Sequence, residues 1–324
     1  MHFSIRRLAI VSAATAMLCL LPQAQAQNWP TKTVRFIVPF SPGGANDLMA
    51  RAAAEGAGKA LGQTVIVENR GGAGGSLGAD IVAKSTPDGY TFLISAAGVI
   101  SNSMIKKSLP FKDEDLMPVV MIGVAPSVIV VPKAAPYETL RDFVEASKKG
   151  QGFNFATAGT GSTPHFVAEM LNVKYGAKLQ PVPYKSGSES TTAVLSGQVE
   201  GTSEASIIAL PHIRGDGRFK ALATTWTKRI SAYPQLSTAM EQGFPDLQIA
   251  HWAGLHAPRG TPPDIMDKLA AAVDKAMHEP ANAEKLRGLG IEPIGGTRQE
   301  FVKFVDAERK RLGELVKAAR MKED

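Results

Sequence analysis

The chain has 324 residues, 36 Lys and Arg against 30 Asp and Glu, a net charge of +6 and a single cysteine. The basic residues are scattered, with no basic stripe and no row of stacking aromatics, which argues against a nucleic-acid interface. The cysteine, Cys19, falls within the first 26 residues, so the remainder has neither a disulfide nor thiol chemistry to offer.

Residues 1–26 read as an export signal. Arg6 and Arg7 precede the apolar run Leu8–Leu21, and Ala24-Gln25-Ala26 is a small-x-small cleavage site. Cleavage near Ala26 removes two arginines and no acid, so the net charge falls from +6 to +4. About 300 residues remain, enough for two domains.

Thr33–Val38 is a short apolar run and a buried-strand candidate. The loop Val38-Pro39-Phe40-Ser41-Pro42-Gly43-Gly44-Ala45-Asn46-Asp47 follows, and Leu48–Leu61 has helical spacing up to Gly62. Thr64–Glu68 is a second strand, Gly71–Gly75 a loop, Ser76–Lys84 a helix and Tyr90–Ile94 a third strand. Strand–helix alternation of this kind predicts a parallel sheet with helices on both faces. Val119–Val131, broken by Gly123 and Pro126, is long enough to leave one lobe and enter another.

The pattern then repeats. Leu140–Lys148 is a helix, and Phe153–Ala156 is a strand leading into Ala158-Gly159-Thr160-Gly161-Ser162-Thr163-Pro164-His165 and the helix Phe166–Val173. Gln180–Pro183 is a strand, followed by a turn at Lys185–Ser188 and a helix through Leu195. Gly201–Ser206 and Phe219–Thr224 are further strands, and Ile249–Leu255 carries the chain back. Pro263–His278 and Arg298–Ala319 are amphipathic helices.

Both glycine loops end a strand and open a helix. Glycine admits close backbone approach, and the first turn of a helix has unpaired N–H groups aligned with a dipole that favours anions. Two such loops on separate lobes suit the capture of a small carboxylate or phosphate; either alone also serves simply as a turn. Gly74-Gly75-Ser76-Leu77-Gly78 matches G-x-S-x-G, but five loop residues separate it from the preceding strand, unlike a nucleophile elbow. Neither a phosphate-binding P-loop nor a dinucleotide fingerprint follows a strand. The spacings of His165, His212, His251, His256 and His278 fit no common zinc pattern. No catalytic residue, metal ligand or cofactor is therefore assigned. The rival reading is a secreted hydrolase using Ser76 or Ser162.

In order along the chain, the motifs resemble the Bug family of periplasmic solute-binding proteins, the receptors of tripartite tricarboxylate transporters. They are Trp29-Pro30, Val38-Pro39-Phe40-Ser41-Pro42-Gly43-Gly44 with Asp47 and Arg51, Val67-Glu68-Asn69-Arg70, Pro87-Asp88-Gly89-Tyr90-Thr91, and Gly159-Thr160-Gly161-Ser162 with His165. Val182-Pro183-Tyr184-Lys185, Gly197-Gln198-Val199, Leu210-Pro211-His212-Ile213 and Ala257-Pro258-Arg259-Gly260-Thr261-Pro262 continue the match.

The resemblance implies an α/β, two-lobed periplasmic binding protein of type II-like fold. Each lobe is a mostly parallel sheet flanked by helices, and the two are hinge-connected. Lobe 1 is expected at 27–124 plus 253–324 and lobe 2 at 125–252. It implies a non-enzymatic receptor in the periplasm that holds a small mono- or dicarboxylate and works with membrane transporter subunits or, alternatively, a sensor kinase.

By position, the ligand-binding candidates in the first lobe are Phe40, Ser41, Gly43, Gly44, Ala45, Asn46 and Asp47, with Ser95, Ala96, Ala97 and Gly98 beyond the third strand. In the second lobe they are Thr157, Gly159, Thr160, Gly161, Ser162, Thr163 and His165, then Tyr184, Lys185 and Ser186. The chain departs from the family after Val199-Glu200. Where an aromatic, Asp and Asn are usual, it has Ser203, Glu204 and Ala205. Glu204 either lines the cleft, where it would repel a second carboxylate or attract an amine, or points to solvent.

Overall fold

The computed structural model describes residues 29–215 and 217–322. The export signal read in residues 1–26, with its cleavage site at Ala26, lies outside the described residues. Two sheets organise the chain. The first contains β1 (Val34–Val38), β2 (Val65–Asn69), β3 (Thr91–Ser95), β4 (Leu116–Ala125), β10 (His251–Pro258) and β11 (Glu292–Pro293), in the order β11-β4-β10-β3-β1-β2. The second contains β5 (Ser127–Pro132), β6 (Phe153–Thr157), β7 (Leu179–Pro183), β8 (Gly201–Ala205) and β9 (Phe219–Thr224), in the order β7-β6-β8-β5-β9.

Each sheet has a parallel triplet, β2-β1-β3 and β7-β6-β8, completed by antiparallel strands. The apolar run expected at 119–131 is two strands. Pro126 has no N–H for a ladder, so β4 ends before it and β5 begins after it in the other sheet. The chain returns through residues 225–250 to β10.

The helices are α1 (Ala45–Leu61), α2 (Ser76–Ala83), α3 (Ala97–Ile105), α4 (Leu140–Ser147), α5 (Thr163–Tyr175), α6 (Gly187–Leu195), α7 (Ser206–Leu210), α8 (Pro263–His278), α9 (Pro280–Gly288) and α10 (Arg298–Ala318). Glycine stops two of them: Gly62 and Gly176 take left-handed conformations at the ends of α1 and α5, a geometry that costs L-residues energy. Alanine lets α1 and α8 pack closely. Ala50, Ala53, Ala54 and Ala57 are buried on one and Ala272 and Ala276 on the other. One apolar cluster joins the lobes: Phe155, Phe166 and Leu171 from the second-sheet side meet Met121, Trp252, Phe301 and Leu312 from the first.

Candidate functional site

Strand direction decides where the helices begin. The parallel strands β1, β2 and β3 all end on one edge of the first sheet, and α1, α2 and α3 start there. In the second sheet β6, β7 and β8 end together, and α5, α6 and α7 start there. Because β5, β10 and β11 run the other way, α4, α8 and α10 begin at the opposite edges.

Capping follows the same division except at α6, which starts at a loop edge and is capped by Ser186. Thr139 and Thr297 close capping boxes at α4 and α10, and Pro263 opens α8 with no N–H to satisfy. At the loop edges, α1 (Gly44), α2 (Gly75), α3 (Ala96) and α5 (Ser162) carry no side-chain cap. In α1 the first helical bond runs from the Leu48 N–H to the Gly44 carbonyl, so the amides of Ala45, Asn46 and Asp47 precede it. In α5 it runs from the Phe166 N–H to the Ser162 carbonyl. These edges concentrate helix-terminal amides whose natural partner is an anion.

The two edges meet. A Cβ placed on Gly161 would lie 2.9 Å from Ser101 Oγ, and one on Gly98 would lie 3.5 Å from the Gly161 carbonyl oxygen. A Cβ on Gly74 would lie 3.8 Å from the Thr160 carbonyl oxygen. Asn102 ties the Gly74 carbonyl to α3 with an Nδ2 donation of 3.0 Å. Thr160 and Gly161 therefore rest against α3 and the Gly71–Gly75 loop, with Phe40 one layer behind: a Cβ on Gly75 would lie 3.4 Å from Phe40 Cζ. Ser41 and Gly43 are exposed, while Gly44 and Asn46 are half-buried. Asn46 donates Nδ2 to the Trp252 carbonyl (2.9 Å), which ties α1 to the start of β10.

Several candidate side chains are committed to holding the loops. Asp47, 2% exposed, accepts from the Gly43 amide (2.9 Å), Arg51 Nε (3.0 Å) and Asn69 Nδ2 (2.9 Å). Burial opposes its ionisation, but those three donors prevail and hold its carboxyl below the usual range. His165 accepts the Gly161 N–H at Nδ1 (3.1 Å), and Ser162 Oγ donates to the Gly159 carbonyl (2.6 Å). Ser95 is paired with His256 Nδ1 at 2.6 Å. Thr157 is buried, with Oγ1 3.4 Å from the Val182 carbonyl oxygen. These five side chains shape the backbone; the Gly161 and Ser162 N–H groups are taken by His165 and the Gly159 carbonyl, which leaves the amides of Ala45, Asn46, Gly159 and Thr160 as the chemistry at the edges.

Ala45, Ala96, Ala97 and Thr163 are buried. Tyr184 packs against the apolar cluster that includes Val128 and Val130, Lys185 is exposed, and Ser186 caps α6 by accepting the Glu189 N–H (3.3 Å). Neither serine of the hydrolase reading has a histidine base: Ser162 serves Gly159, and Ser76 Oγ is buried without a partner.

Glu204 corrects one alternative. It does not point to solvent: it is 3% exposed, its Oε1 has no partner, and burial pushes its pKa up to about 8. Its carboxyl lies at the start of α6, where a Cβ on Gly187 would come within 2.8 Å of Oε2. His251, at the start of β10, was not among the sequence candidates. Burial lowers its pKa to about 4, its ring bonds the Ser203 backbone, and Nε2 has no partner. Gly74 and Ser101, which stand where the two edges meet, were not among the sequence candidates either; for Gly74 the glycine-rich run at 71–75 was the available signal.

This two-lobed α/β arrangement, with helix starts gathered along two touching edges, is that of a solute-binding receptor. Residues 49–321 match the family described as "Tripartite tricarboxylate transporter family receptor". The chain belongs to that family. It is 33% identical over 316 residues to protein BugT of Bordetella pertussis, covering 96% of this chain and 97% of that one. An R. palustris protein solved with adipate has a TM-score of 0.85 at 30% identity, covering 91% of this chain and 99% of its own. MatC from Rhodopseudomonas palustris, solved with bound malate, has a TM-score of 0.81 at 30% identity, covering 89% and 100%. Among the described residues no helix is long and apolar enough to cross a membrane.

Proposed function

We propose that this protein is a periplasmic receptor that captures a small carboxylated metabolite between lobe 1 (27–124 plus 253–324) and lobe 2 (125–252) for a tripartite tricarboxylate-type transporter, without catalysis. The observation that carries the reading is the pair of touching loop edges, each with uncapped helix starts. Amides of Ala45 and Asn46 and of Gly159 and Thr160 would hold the carboxylate, with Phe40 beside its apolar body. Relatives solved with adipate and malate support an organic acid as the ligand. The chemistry agrees: a carboxylate on several N–H donors requires no arginine clamp.

Thermal shift of the purified mature protein, with any co-purified ligand removed, tests this against mono- and dicarboxylates. At about 100 times Kd a true ligand stabilises by roughly 2.7 kcal/mol. A flat response across the panel would reject the reading.

A further inference from the structure

We infer that Glu204 sets the ligand preference of the cleft by donating a hydrogen bond, as the neutral acid, to an oxygen at the end of the ligand remote from the loop-bound carboxylate. The inference rests on the carboxylate reading above and adds a ligand class to it: acids with a second oxygen-bearing end, favoured over plain alkyl monoacids.

Geometry carries it. Glu204 is the penultimate residue of β8, whose end lies on the same edge as the Gly159–Ser162 loop. Its carboxyl is almost wholly buried, yet Oε1 has no partner. A buried carboxyl oxygen left alone is costly, and such groups call for an explanation. Gly187 makes room for it: any side chain there would strike the carboxyl.

The surrounding charges do not neutralise it. The first turn of α6 already has a carboxylate, because Glu189 accepts the Lys185 N–H (3.1 Å). Lys185 itself is exposed. The segments of β5 and β6 paired with β8 carry no ionisable side chain, and neither does α7. His251 reaches the Ser203 backbone, one residue away, and burial keeps it neutral down to about pH 4. With no cation beside it among the described residues, and only the Ala205 backbone N–H favouring the carboxylate, burial holds the Glu204 proton up to about pH 8. A neutral carboxyl is a donor as well as an acceptor. It therefore need not repel a second carboxylate, as an ionised Glu204 would. The proton stays on Glu204, shared in the bond, and nothing else is exchanged.

The test is calorimetric titration of the mature protein with adipate against hexanoate and malate against butyrate, at pH 7 and pH 9. The wild type should prefer the oxygen-bearing member of a pair at least tenfold. Its affinity for that member should fall about tenfold by pH 9, as Glu204 ionises. E204L should lose the preference while still binding monoacids, and E204Q should keep it with a flat pH profile. G187A, which displaces the carboxyl without needing a positive φ, should reduce it in the same direction and decides the matter if E204L does not fold.

Preference unchanged in E204L or G187A would overturn the inference and leave the carboxylate reading intact. Tighter binding at pH 9, with glutamate preferred over glutarate, would overturn it in favour of an ionised Glu204 holding an ammonium. Binding of no acid at all would remove both.

Discussion

Two adjacent glycines in the first loop have different duties. Gly43 has φ +77 with open space where a Cβ would stand, whereas Gly44 has φ −76 and a prospective Cβ 3.5 Å from the Ser41 carbonyl oxygen. G43A should therefore cost about 1–2 kcal/mol in folding stability, through left-handed backbone strain alone. G44V should leave the melting temperature of the free protein nearly unchanged but abolish ligand-induced stabilisation, since it puts a branched side chain at the mouth of α1. Thermal melts with and without the best acid separate the two, and retained binding in G44V would move the site away from α1.

Protonation gives a second residue-scale expectation. Folded Glu204 keeps a proton between about pH 4.5 and 8 that the unfolded chain has released, so stability falls as pH rises through that window. Folded His251 and His256, held by burial at about 4 and 3, refuse protons that the unfolded chain takes up below 6.5, so stability also falls as pH drops below that value. Between 4.5 and 6.5 the two histidines outweigh the one glutamate. Ligand-free stability should therefore peak near pH 6.5 and decline by roughly 1.4 kcal/mol per pH unit on the alkaline side up to about 8. Urea titrations from pH 5 to 9 measure this, and E204Q should remove the alkaline decline alone.

At the scale of elements, α1 against α8 shows packing overruling propensity. Replacing a mid-helix glycine with alanine ordinarily gains about 1 kcal/mol. At Gly56 the new methyl would stand 2.3 Å from Ala276 Cβ, and overpacking of that kind costs about 1–3 kcal/mol. G56A should thus destabilise by about 1–2 kcal/mol, read from the urea midpoint; a stabilised variant would mean that the two helices part easily.

Elements like these were also what the sequence made legible. Strand β1 and helices α1, α8 and α10 were readable because apolar spacing and terminal glycines or prolines mark them locally. The split of β4 from β5 was not, because a run of valine and isoleucine looks the same whether it stays in one sheet or crosses to another. The glycine loops were visible as helix starts. That Gly161 would rest on α3 and the Gly71–Gly75 loop depends on how two sheets face each other, which no local pattern encodes. Glu204 stands out in the sequence as a departure, but its burial depends on the place of β8 between β6 and β5 and on the room left by Gly187, seventeen residues earlier in a different element.

For the whole molecule, if capture between the lobes is the function, the contact between edges is the feature that closure would make and opening would break. Gly98 in α3 is buried between the Gly161 carbonyl of the other lobe and the Gly74 carbonyl of its own, and it has no positive φ, so a larger side chain there presses on both. G98W should act as a wedge and, because Gly98 is buried, should also lower the free protein's stability by about 1–3 kcal/mol, as overpacking does. Ligand affinity should drop by a factor of 10 or more, since about 1.4 kcal/mol of lost closure contacts suffices for that. Small-angle scattering gives the independent readout. The wild type should contract on adding the acid identified by thermal shift, and G98W should keep its larger radius of gyration under the same conditions. A wedge variant that contracts and binds normally would show that the ligand is held by one lobe, with the touching edges incidental to capture.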